Sequence, residues 1–105
     1  MNDKTFTWPG FNADDAGHRT LQGWLVLDVQ HQPDLVVELL AQIGRVRAGE
    51  VNPLGGSGNG YEFDFLDDGL LLACLYPGDE LSPVTVPYPL LETALQAWLN
   101  HISGE

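Results

Sequence analysis

Tyr61-Glu62-Phe63-Asp64-Phe65 alternates strictly between aromatic and acidic residues. Strand side chains point to opposite faces in turn, so this stretch has one aromatic face to bury and one acidic face for water. Asp67-Asp68-Gly69 follows, a composition that supplies the left-handed conformations of a tight hairpin turn. Leu70–Tyr76 then returns as an apolar strand. Pro77-Gly78-Asp79-Glu80 reads as a second turn and Val84-Thr85-Val86 as a short third strand, stopped by Pro87 and Pro89. The chain is therefore committed to an antiparallel meander with something apolar packed on one side.

Two helices are expected to supply that cover. Pro33 suits the first position of a helix and Asp34 its positive end, and Leu35, Val36, Leu39, Leu40, Ile43 and Val46 recur at helical spacing. Arg45 and Arg47 sit where cations favour a helix C-terminus, and Gly49 is a plausible terminator. A second helix is expected over 89–102, with Leu90, Leu91, Ala94, Leu95, Trp98, Leu99 and Ile102 on one face. Residues 20–30, dense in Val, Leu and Trp, read as a further strand. The run from Asn52 to Gly60 reads as a loop, and residues 1–18 as an initial strand near Thr5–Trp8 with a loop, or as an arm docking through its aromatics. The expected order is β-α-β-β-β-α. Consecutive strands favour an antiparallel sheet, so the class is α+β: a two-layer sandwich of four strands, or five, with both helices on one face. The 105 residues suffice for a single domain spanning 1–105.

Charge narrows the function classes. Beyond Arg47 the chain has nine carboxylates and no lysine or arginine, within a formal net charge of −11. Such a surface repels nucleic acid and anionic lipid and speeds encounter with a basic partner. The bland alternative is that acidity only aids solubility. High charge also disfavours self-association, so a monomer is expected. No apolar run is long enough to span a membrane and the N-terminus lacks an apolar signal core, which points to the cytosol. Cys74 is alone and reads as a buried structural thiol.

Catalytic and ligand motifs do not assemble. The stretch Gly55–Gly60 lacks the Lys and Ser/Thr of a phosphate loop and leads into a strand, not a helix. Counting a calcium loop from Asp64 puts Leu66 and Leu75 at ligand positions. His18, His31 and His101 have no partner at metal-ligand spacing. Ser57 and Ser82 belong to no recognisable nucleophile motif. No enzyme activity, metal or cofactor is expected.

The acids of the meander are a different matter. If Tyr61, Phe63 and Phe65 face the helices, Glu62 and Asp64 face away, flanked by Asp67 and Asp68 at one turn and Asp79 and Glu80 at the next. These six, with Tyr88 as an exposed aromatic anchor beside them, are the candidate partner-binding residues; Trp8 is a second candidate for exposure. The Gly-Asn-Gly-Tyr opening, the acidic hairpin, the Pro-Val-Thr-Val-Pro strand and the terminal helix with a central Trp98 resemble the small immunity proteins of contact-dependent and polymorphic toxin systems of bacteria. That resemblance implies a protein that binds and neutralises a cognate basic toxin domain, such as a nuclease, without catalysis. An acidic adaptor or nucleic-acid mimic, and then a small enzyme, are the alternatives.

Overall fold

Three helices pack on one side of a four-stranded antiparallel sheet, an α+β arrangement. The computed structural model describes residues 6–50, 55–58, 60–74 and 83–104. Helix α1 spans Ala16–Trp24 and opens on Asp15, whose carboxylate accepts hydrogen bonds from the backbone N–H of Gly17 at 2.8 Å and His18 at 3.4 Å. That satisfies donors a helix start leaves without partners. The chain continues into a π-helical turn over Leu25–Val29, closed by Gln30 N–H donating to Leu25 O at 2.8 Å.

The strand expected over 20–30 is therefore helical. Its buried members, Thr20, Leu21, Trp24, Leu25 and Val29, fall at helical spacing, and Val26, Leu27 and Gly23 between them hid that period. Helix α2 spans Pro33–Arg47, as expected, and buries Val36, Leu39, Ile43 and Val46. Gly49 ends it at φ 77°. There the Gly49 N–H donates to Val46 O and the Glu50 N–H to Arg45 O, the paired bonds of a Schellman terminus.

The sheet order is β1-β2-β3-β4, with β1 Gly56–Ser57, β2 Tyr61–Phe65, β3 Gly69–Cys74 and β4 Val84–Pro87. The fourth strand thus comes from the glycine-rich stretch expected to be all loop. A Cβ on Gly55 would overlap the Phe63 carbonyl, so glycine is what lets this edge approach β2. Between β2 and β3, Leu66 N–H donates to Gly69 O at 2.9 Å. The hairpin is there, but Asp67, Asp68 and Gly69 are not left-handed as expected; among described residues only Gly10, Gln30 and Gly49 have positive φ. Gly69 is needed for room, since a Cβ there would press on the Val86 carbonyl of β4. The turn expected over 77–80 lies outside the described residues.

Helix α3, Tyr88–Ser103, buries Tyr88, Leu91, Ala94, Leu95, Trp98 and Ile102. Trp98 is fully buried and its indole N–H donates to Gln30 O at 2.7 Å, tying α3 to the end of the π turn. Residues 6–8 form no strand, residues 1–5 lie outside the described residues, and residues 16–18 of the stretch expected as loop or arm are the first turn of α1. Phe6 stands edge-on to Trp98 at 4.9 Å, and Trp8 packs on Phe11 at 4.9 Å. Trp8, expected at the surface, is only 4% exposed. Among the described residues no helix is long and apolar enough to cross a membrane.

Candidate functional site

The register of the sheet sorts its side chains into two faces. Phe65, Leu70 and Val86 are mutual neighbours across β2, β3 and β4, and all three are buried against the helices. The alternate positions then face away: Ser57 beside Glu62 beside Ala73, and Asp64 beside Leu71 beside Thr85. Glu62, Asp64, Thr85 and Ser57 are exposed, and Leu71 and Ala73 half-buried. The local cause is β2 itself. Burying its aromatics sends both acids outward, about 7 Å apart by strand geometry.

This face is concave. Gly55, Gly56, Ser57, Glu62, Phe63, Asp64, Leu71 and Ala73 line a groove of about 450 Å³. The two carboxylates stand on its middle strand, with the aliphatic Leu71 and Ala73 of β3 on one side and Ser57 of β1 on the other.

Asp67 and Asp68, both exposed, lie at the turn that ends β2. Asp64, Asp67 and Asp68 are all near enough to Tyr88 for their charges to act on its hydroxyl. The hydroxyl of Tyr88 has a pKa above tyrosine's usual 10.0, through burial first and then the negative charges of Asp68, Asp67 and Asp64. Tyr88 itself is not the exposed anchor expected: it is 3% exposed, and its hydroxyl donates to Leu66 O inside the hairpin turn. Its buried ring holds the acidic turn against the first residue of α3. Asp79 and Glu80 lie outside the described residues.

No described cation lies on this face. The sheet residues 55–58, 60–74 and 83–87 include four acids and no lysine or arginine. Arg19 belongs to α1 and donates to Ala13 O, while Arg45 and Arg47 belong to α2, and Arg47 pairs with Glu92 of α3. The cations of the described structure all sit in the helical layer. Exposed acids occur there too, at Asp14, Asp15, Asp34, Glu38 and Glu50, so acidity is not confined to the sheet. What is particular to the sheet face is acidity without countercharge.

Two features had no clear sequence signal. Leu71 and Ala73 lie in the unbroken apolar run of β3, where nothing marks which positions face outward until the strand is paired with β2. Asp28, on the π turn, is a carboxylate turned inward: its two oxygens accept from the backbone N–H groups of Gly60 and Tyr61 at 2.9 and 3.0 Å. It fixes the start of β2 and so the direction of Glu62. Asp28 also adds, after burial and Cys74, to the elevation of the Tyr61 pKa. Among the described residues no three His, Cys, Asp or Glu side chains converge on a metal-sized site. No family model matches the chain, and no curated protein or solved structure matches it.

Proposed function

We propose that the protein is a non-catalytic inhibitor that captures a basic protein on the helix-free face of its sheet, in the manner of an immunity protein neutralising a cationic toxin domain in the cytosol. The observation that carries this reading is the segregation of charge: Glu62, Asp64, Asp67 and Asp68 lie along one face that no described helix covers and its adjoining turn, while Arg19, Arg45 and Arg47 belong to the helices behind. An uncompensated acidic face projects a field that steers a cationic partner, and rates approaching ~10⁸ M⁻¹s⁻¹ become accessible at low salt. The partner's class, a nuclease-like toxin, rests on the sequence resemblance; the docking face rests on the geometry.

The test co-expresses this chain with the basic C-terminal domain of a large secreted protein encoded directly upstream of it. Growth restored by the chain, and capture of that domain slowed by salt and by Asp67→Lys with Asp68→Lys, support the reading. The absence of any such neighbouring frame, or a capture rate indifferent to both salt and charge reversal, sinks it.

A further inference from the structure

Resting on that reading, we infer that the sheet-face groove is an arginine receptor: a partner segment lays an arginine side chain across Leu71 and Ala73 and hands its guanidinium to Glu62 and Asp64. No described helix packs on this face, and its groove of about 450 Å³ runs over β1, β2 and β3, with Glu62 and Asp64 on the middle strand and Leu71 and Ala73 beside them. Chemistry selects the occupant. A fully apolar side chain would leave two desolvated carboxylates without a donor. A phosphate or another acid is repelled. Lysine carries the right charge, but its compact ammonium is strongly hydrated and loses more on leaving water beside the aliphatic Leu71 and Ala73. Arginine is weakly hydrated, planar, and offers five N–H donors in a fork that meets carboxylates in pairs. Its three methylenes suit the strip between Leu71 and Ala73.

Small residues at this edge make the approach possible. Gly55, whose missing Cβ would press on Phe63 O and the Asp64 Cα, carries no side chain beside Asp64, and Ser57 is the small β1 residue paired with Glu62. A partner's backbone can therefore pass close to β1 while its arginine reaches inward.

The experiment follows backbone amide shifts of the full-length protein during titration with three acetylated peptide amides of sequence Gly-X-Gly-X-Gly, where X is arginine, lysine or uncharged citrulline. Shifts confined to residues 55–57, 62–64 and 71–73, arginine binding about threefold or more tighter than lysine, and no binding by citrulline are expected. Glu62→Gln with Asp64→Asn should weaken arginine binding by about fivefold or more, while Asp34→Asn with Glu38→Gln on α2 should change it by less than about twofold. Leu71→Thr, at a half-buried position and keeping a strand-forming side chain, should erase the preference for arginine over lysine. Equal affinity for the two cations, shifts spread over α2, or a preference that survives Leu71→Thr would each overturn the assignment. The two proposals fail separately: if the arginine preference is absent while Asp67→Lys with Asp68→Lys still slows capture of the basic domain, the groove falls and the acidic docking face stands.

Discussion

Gln30 holds φ 56° and ψ −154°, a region that almost only glycine occupies. The residue persists there because its neighbours dictate it: its N–H closes the π turn on Leu25 O, its carbonyl receives the Trp98 indole N–H, and its side-chain amide donates to Leu27 O at 2.7 Å. The strain is of the order of 2 kcal/mol, and glycine's extra chain entropy with the lost amide bond offsets about half of it. Gln30→Gly should therefore raise unfolding free energy by about 1 kcal/mol in denaturant titration, and a less stable glycine variant would show the strain to be illusory. At Tyr88 the expectation concerns pH. A phenol whose folded pKa exceeds its unfolded value of 10.0 contributes stability that is complete below pH 10 and lost as pH rises toward the folded value. Tyr61 is raised in the same sense. Melting temperatures measured from neutral pH to above 10 should fall in that alkaline window. Tyr88→Phe should flatten the fall while costing about 1 kcal/mol at neutral pH, because Leu66 O loses its donor. An equally steep alkaline fall in that variant would place the titrating group elsewhere.

Glycines at helical positions separate packing from propensity. Gly44 lies in α2 with nothing near the space a Cβ would fill, so Gly44→Ala should stabilise by about 1 kcal/mol through helix propensity alone. Gly23 lies in α1 with the Tyr61 hydroxyl where its Cβ would go, and Tyr61 is itself buried. Gly23→Ala gains the same propensity but must displace the buried Tyr61 ring, so a net loss of about 1 kcal/mol is expected from paired urea titrations. A stabilising Gly23→Ala would mean that the contact between α1 and β2 is loose. These same elements show where sequence patterns suffice. α2 and α3 were legible because their apolar positions are separated by polar ones and bounded by Pro33 and Pro89. β2 was legible because aromatic and acid alternate without exception. The run around Leu21–Val29 was not: nearly every residue is apolar, so period 2 and period 3.6 leave the same trace, and Asp15 as a helix cap was the one cue. β1 was illegible for another reason. Gly56–Ser57 becomes a strand because β2 lies beside it, a tertiary cause that no local propensity carries.

At the scale of the molecule the question is why the acids stay on the sheet. The outward direction of Glu62 and Asp64 was legible from alternation alone, whereas that of Leu71 and Ala73 was not, since nothing in Leu70-Leu71-Leu72-Ala73 marks an outward position. Across about 7 Å of water two like charges repel by about 0.6 kcal/mol, less once salt screens them. The described sheet layer has four such charges and no cation; they are neighbours along the chain as well, so folding adds only the part of this repulsion that a flexible chain could relieve by turning its acids apart. Glu62→Gln with Asp64→Asn should then raise the melting temperature by a few degrees at low ionic strength, about 1 kcal/mol at most. Asp34→Asn should lower it slightly, because Asp34 faces the positive start of α2 and is already favourably placed. The gain from the sheet-face pair should shrink as sodium chloride rises from about 20 mM to about 500 mM, where screening acts within a few ångströms. Thermal melts of the two variants at both ionic strengths measure this directly. If the pair proves neutral, the carboxylates are solvated well enough to carry no cost, and their placement no longer calls for a partner. If the gain appears and fades with salt, the native sequence holds a destabilising charge pattern on its open face, as expected of a surface kept for binding.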